Sequence, residues 1–179
     1  METKIYLLAG KARSGKDTAA KIITDYYETK GKRVVQIGFA DYIKNYAMNI
    51  TNWDGSDETK PRELLQVLGT DIVRNTINED FFINRVCEDI IVYKHFFDVI
   101  IISGARFPNE LDIPKARFSN VCIIGVKRDN YNDGLTSKQQ KHITENALEG
   151  YNNYDCLIKN DGDLDSFKEK ILKFIGDEK

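Results

Sequence analysis

Gly10-Lys11-Ala12-Arg13-Ser14-Gly15-Lys16-Asp17-Thr18 decides how the rest of the chain is read. Its two glycines and the lysine that follows have the spacing G-x-x-x-x-G-K of a phosphate-binding loop, with Asp17 where such loops carry Ser or Thr. Successive backbone N–H groups can surround phosphate oxygens only if the loop turns tightly and lets the ligand approach closely, which glycine permits. A helix starting there adds the positive end of its dipole, and Lys16 adds a mobile point charge. Composition alone produces the pattern in roughly one chain of this length in twenty, so its setting carries the weight. An apolar run from Ile5 to Ala9 precedes it, and apolar residues at helical period follow from Gly15 through Ala19, Ala20, Ile22, Ile23 and Tyr26 to Gly31. Strand, glycine loop and helix is the context in which this chemistry works. Within the loop, Lys11 and Arg13 read equally as phosphate contacts or as solvated charges. Asp17 reads either as an oxygen ligand for Mg²⁺ or as an ordinary acid of a first helical turn. Thr18 is the hydroxyl expected to meet a phosphate oxygen.

Outward from the loop, Val34 to Phe39 gives a second strand and Asp41 to Met48 a helix-like stretch. Residues 49–61, with Asn52, Trp53, Gly55 and Pro61, read as a loop. Leu64, Leu65, Leu68, Ile72 and Val73 have helical spacing broken near Gly69, and Asp80 to Tyr93 is a further helix. Val99 to Ile102 and Val121 to Val126 are apolar without alternation, as suits strands covered on both faces of a parallel sheet. After a polar stretch from Lys127 to His142 come a short strand, Tyr154 to Lys159, and a closing helix, Leu164 to Ile175, started by Asp163. The alternation predicts an α/β fold of three layers, with a parallel sheet of about five strands flanked by helices. Length predicts one domain over 1–179, with 49–61 and 129–141 as mobile flaps within it.

With 26 Lys+Arg against 28 Asp+Glu the net charge is −2, far from the basic excess of proteins that track a polynucleotide. A nucleic-acid polymer is therefore not an expected partner. With 41% hydrophobic residues, the chain can bury a core without disulfides or a structural metal. Cys87, Cys122 and Cys156 form no C-x-x-C pair and read as reduced core thiols. No charged-then-apolar leader opens the chain and no apolar run approaches 18 residues, so membrane and secretion are not expected and the cytoplasm is.

Several stretches, in a shared order from about residue 5 to 172, resemble the bacteriophage-type deoxynucleoside monophosphate kinases, a branch of the P-loop kinases. The loop at 10–18 resembles that family's, including its Asp. Phe39-Ala40-Asp41 with Lys44 looks like its F-A-D-x-x-K turn. Arg62 and Leu64 to Asp71, followed by Arg74, are similar to its R-x-L-L-Q-x-L-G-T-D segment on the acceptor side. Arg106-Phe107-Pro108-Asn109-Glu110 resembles R-F-P-N-E after the third strand, while His142 to Glu145 and Asn160-Asp161-Gly162 resemble the lid exit and the base-side loop. Gly104 stands where the family usually has Asp.

The resemblance implies the P-loop kinase fold, with an acceptor-binding flap at about 40–75 and a lid at about 128–145. It implies transfer of the γ-phosphoryl group of ATP, with Mg²⁺, to a (deoxy)nucleoside monophosphate by a monomer or homodimer. Lys16, Arg106 and Arg128 would be the catalytic cations, and Gly10 to Thr18 with Asn160 would bind ATP. Phe39, Lys44, Arg62, Gln66, Gly69, Thr70, Asp71, Arg74 and Glu110 would meet the acceptor, His142 and Glu145 would serve the lid, and Asp17 the metal. Taken by themselves, Arg74 and Arg106 read as a phosphate clamp or as surface ion-pair partners, and Gln66, His142 and Arg128 as ligands or as solvent-facing groups. Pro108 sets a rigid turn or a cis bond. Two other functions stay open: a kinase of another small phosphorylated acceptor, of the dephospho-coenzyme A or phosphomevalonate type, and a nucleotide-binding regulator without turnover.

Overall fold

A computed structural model describes residues 2–129, 131 and 134–177. Five strands, β1 (Lys4–Ala9), β2 (Val34–Gly38), β3 (Val99–Ala105), β4 (Val121–Lys127) and β5 (Cys156–Lys159), form one parallel sheet in the order β2-β3-β1-β4-β5. Helices α1 (Lys16–Glu28) and α8 (Leu164–Asp177) cover one face. Helices α2 (Phe39–Thr51), α4 (Phe81–Tyr93) and α5 (Pro108–Arg117) lie on the other. A short α3 (Arg62–Gln66) and a π-helical segment (Val67–Ile77) precede α4, while α6 (Ser137–Gln140) and α7 (Ile143–Asn146) lie between β4 and β5.

Residues of β1 alternate between two cores. Tyr6 and Leu8 pack with Ala19, Ala20 and Ile23 of α1 and Phe167 and Ile171 of α8. Ile5, Leu7 and Ala9 pack with Ile83, Val86 and Ile90 of α4 and Leu111 of α5. Both faces are covered, which is why the strand reads as an unbroken apolar run. Burial of each such Leu or Ile contributes about 1.5–3 kcal/mol. The strand order places β1 between β3 and β4, where successive additions switch from one side of it to the other. An open parallel sheet has a crevice outside the carboxyl ends of its strands at such a point, and the loop after Ala9 lies there.

The structure differs from the sequence reading at several joints. Phe39 starts α2 rather than ending β2, and α2 runs on to Thr51, where Asn52 closes it at φ +57°. The helical pattern near Gly69 is split into α3 and the π-helical segment. A Cβ at Gly69 would lie 2.7 Å from Ile43 Cδ1, so the segment can press against α2 only with glycine there. Helix α5 has no strong apolar period to announce it, and Pro108 in its first turn and Pro114 inside it disguise it further. No cis peptide bond occurs among the described residues. Cys122 and Cys156 are only partly buried, whereas Cys87 is buried. Residues 130, 132 and 133, part of the expected lid and of the 129–141 flap, lie outside the described residues. No helix among the described residues is long and apolar enough to cross a membrane.

Candidate active site

The loop between β1 and α1 is shaped by backbone that side chains would obstruct. Gly10 has φ +150°, and a Cβ there would lie 2.3 Å from the Val126 carbonyl oxygen. Gly15 has φ +106°, and a Cβ there would lie 2.6 Å from Asn160 Nδ2. Asn160 braces the loop from behind, donating that amide to the Ser14 carbonyl at 3.0 Å. Ser14 Oγ is buried with no hydrogen-bond partner among the described residues, a cost of about 1–3 kcal/mol that an incoming acceptor oxygen would relieve. Lys16, only 7% exposed, folds back to donate to the Lys11 carbonyl at 2.6 Å. Burial, and secondly the Arg106 guanidinium, lower its pKa to about 7, against the opposing pull of Asp17 and Glu145. Asp17 and Thr18 are exposed in the first turn of α1.

Carboxylates from the segment between β4 and β5 take up the loop's free donors. Arg106, just past the end of β3, donates Nη1 to both oxygens of Glu145 at 2.9 Å. Glu145 Oε2 also accepts from the Ala12 backbone N–H at 3.1 Å. Lys11 pairs with Glu149 at 2.6 Å, and the Tyr131 hydroxyl donates to the Ala12 carbonyl. Arg128 lies 5.4 Å from the Tyr131 ring centre. A groove of about 580 Å³ runs alongside, lined among others by Gly10, Ser14, Arg106, Arg128, Glu145 and Tyr154. Gly104, at φ +83°, has open space where a Cβ would point, so the backbone conformation rather than room favours glycine there.

A second corner adjoins the first. Glu110, 7% exposed, accepts the backbone N–H of Arg106 at 2.6 Å and of Phe107 at 3.2 Å. It thereby stitches the first turn of α5 to the end of β3. Burial pushes its pKa up, while those two amides and then Arg74 and Arg106 pull it down. Arg74, on the π-helical segment, reaches Glu110 at 3.7 Å, stacks 3.7 Å from the Phe107 ring centre and donates to Asn109 Oδ1 at 2.6 Å. Asn109 in turn donates to Asp80 at 2.9 Å.

The structure thus brings together Gly10 to Lys16, Asn160, Arg106, Arg128, Glu145, Glu110 and Arg74. Phe39 is instead buried in the core under β1 and β3, and Thr70 is buried in the π-helical segment. Lys44 pairs with Asp41 at 3.1 Å on α2. Arg62 and Gln66 sit at the two ends of α3, Gly69 against Ile43, and Asp71 is exposed. His142 caps α7, accepting from the Thr144 N–H at 3.3 Å. Lys138 of α6 lies 3.4 Å from Glu63 of α3, so the expected lid and the expected acceptor-side flap touch there. Asp80 and Tyr131 carry no mark of a role in the sequence, and Asn109 only its place in R-F-P-N-E, because their partners lie far away along the chain.

The sequence model of the deoxynucleotide monophosphate kinase family matches residues 24–171. The chain belongs to that family. The match begins beyond the glycine loop. The deoxynucleotide monophosphate kinase of Escherichia phage RB69 is 31% identical over 124 residues, covering 67% of this chain and 46% of that protein. The one from Enterobacteria phage T4 is 27% identical over 146 residues, covering 81% and 55%. The chain therefore spans about half the length of these two relatives. In fold alone it is similar to the dephospho-CoA kinase of Campylobacter jejuni, with a TM-score of 0.53 and 15% identity over 97% of this chain and 96% of that one.

Proposed function

We propose that the chain transfers the γ-phosphoryl group of ATP to a deoxynucleoside monophosphate, giving the diphosphate and ADP, in the cytoplasm. The observation that carries this reading is the chain of contacts from the loop through Glu145, Arg106 and Glu110 to Arg74. It supports the reading because it links the glycine loop to a second cation, Arg74, and an in-line transfer between two phosphates needs a cation for each.

Phosphate oxygens of ATP enter the loop and take over the Ala12 N–H and Arg106 from Glu145. Lys16 leaves the Lys11 carbonyl for the phosphates, and the anion beside it offsets the burial and favours its charged form. Arg106 then stabilises charge on the transferring group, and Arg74 holds the acceptor's phosphate through N–H groups that Asn109 and Glu79 leave free. Glu110, its carboxylate already shared among two amides and Arg74, positions both arginines instead of meeting substrate. Residues 40–75 act as the acceptor-side flap, and the described part of 128–145, with Arg128, as the lid that excludes water.

The donor set fits Mg²⁺ carried by the nucleotide. No group of three metal-binding side chains occurs among the described residues, but Mg²⁺ keeps several waters and takes phosphate oxygens, so one carboxylate suffices. Asp17, exposed beside Lys16, would supply it, and the bound ion would offset charge on the β- and γ-phosphate oxygens.

The test is ADP release with Mg·ATP and each of dAMP, dCMP, dGMP and dTMP, their ribose forms and dephospho-coenzyme A. Turnover with at least one deoxynucleotide is expected. Turnover with dephospho-coenzyme A alone, or ATP binding without turnover of any acceptor, overturns the reading.

A further inference from the structure

Asp80 is the N-cap of α4, a position where aspartate ordinarily accepts from the first N–H groups of its own helix. Its carboxylate makes no such bond. It accepts instead from Asn109 Nδ2 at 2.9 Å. That contact decides which way round the amide sits, because a reversed amide would set its oxygen against a carboxylate and its NH₂ against a guanidinium. With the orientation settled, Asn109 Oδ1 accepts from Arg74 Nη2 at 2.6 Å. The Phe107 ring holds the face of the same guanidinium, and Glu110 and Glu79 lie at 3.7 and 3.4 Å from it. Asp80 belongs to the head of α4 and Asn109 to the first turn of α5, so two rigid helices together fix a side chain carried by a third segment.

We propose that Asp80 and Asn109 are positioning residues that set the plane of Arg74, and through it the affinity for the acceptor's phosphate. A planar donor fork held ready loses less freedom on gripping a phosphate than a free one does. The effect falls on acceptor binding and not on transfer, since neither residue reaches the loop that holds the donor. The inference rests on the reading of Arg74 as the acceptor's phosphate ligand.

The experiment uses the full chain and the deoxynucleoside monophosphate that gives the fastest ADP release. Its Kd is measured by calorimetry without ATP, alongside its KM and kcat. Asn109→Asp keeps an oxygen towards Arg74 but sets two carboxylates together, and should raise Kd and KM about tenfold with kcat within about twofold of wild type. Adding Asp80→Asn reverses donor and acceptor across the pair and should bring both constants back to within about threefold of wild type, the remainder coming from Glu79, which accepts from the same Asn109 amide at 3.4 Å and is left facing an oxygen. Asp80→Asn alone, which keeps the shape and serves if Asn109→Asp folds poorly, should raise Kd about threefold. A general structural role would not be rescued by exchanging the two polar groups. Unchanged Kd in both single variants, a loss confined to kcat, or a double variant no better than Asn109→Asp overturns the proposal. Arg74→Lys separates the two levels. If it leaves Kd and KM unchanged, the reading of Arg74 itself fails; if it weakens binding while the Asn109 and Asp80 variants do not, only the positioning role fails.

Discussion

The loop at 10–16 is made of consecutive residues and offers mainly backbone, whereas the corner around Arg74 joins two stretches distant in sequence, Arg74 to Asp80 and Phe107 to Glu110, and offers one side chain. In the loop, shape comes from φ angles that glycine adopts, and from the contacts of Gly10 with Val126 and Gly15 with Asn160. At the corner, shape comes from Phe107, Asn109 and Glu110 closing around a guanidinium. The first arrangement is rigid because the chain has no room to do otherwise. The second is rigid only while every partner is in place, so substitutions should be graded by partner there and closer to all-or-none in the loop.

The largest effect expected is at Lys16. Lys16→Met keeps an apolar stem in the same pocket but removes the charge, and should lower kcat at least about a thousandfold, roughly 4 kcal/mol, measured as ADP release. Turnover within threefold of wild type would break the contrast at its strongest point. The same variant reads the cost of burying the ammonium. The folded pKa of Lys16, about 7, lies below its ordinary value of 10.5. Between these values the unfolded chain binds more protons, so without nucleotide stability rises with pH across that window. Lys16→Met should lack this contribution, and its unfolding midpoint relative to wild type should be highest below pH 7 and fall towards pH 10.5. Arg106→Ala comes next, with at least about a tenfold fall in kcat, since about 1.4 kcal/mol is a modest share for a charge-assisted contact. A rise in acceptor KM at unchanged kcat would move Arg106 from the loop's side of the comparison to the corner's.

Asp17→Asn should raise the Mg²⁺ concentration for half-maximal activity about fivefold, with ATP binding in the absence of metal altered less. Unchanged Mg²⁺ dependence would leave Asp17 as a helix-end acid only. The smallest effect belongs to the Lys11–Glu149 pair, both of whose side chains are more than half exposed. Glu149→Gln should change unfolding free energy by under about 0.5 kcal/mol in denaturant titrations, which would show that the loop's rigidity owes little to that contact.

The same contrast accounts for what could be read in the sequence. Ile5 to Lys16 states strand, turn and helix in adjacent residues, and the apolar runs of β3 and β4 announce a sheet covered on both faces, so layers and strand count were legible. Arg74, Arg106 and Glu110 were marked by resemblance, but nothing local ties Asp80 to Asn109 or Glu145 to Ala12, because those contacts exist only after β1, β3 and β4 have aligned. The π-helical segment was visible only as a faltering period near Gly69, since a wider turn looks in sequence like a broken α-helix. Phe39 misled for a related reason: an apolar residue at the junction of a strand and a helix satisfies both patterns.

The central place of β1 has a consequence for how the chain acquires its fold. The strand is made first, yet its neighbours pair through Val99 and Val121, more than half the chain further on. Until both arrive, β1 has two bare edges and the glycine loop has no Val126 carbonyl to lean against. Contacts so distant in sequence close slowly. A growing polypeptide therefore carries this apolar strand unpaired while the chain up to β3 and β4 is made, and the part of the molecule most local in sequence is among the last to take its final shape.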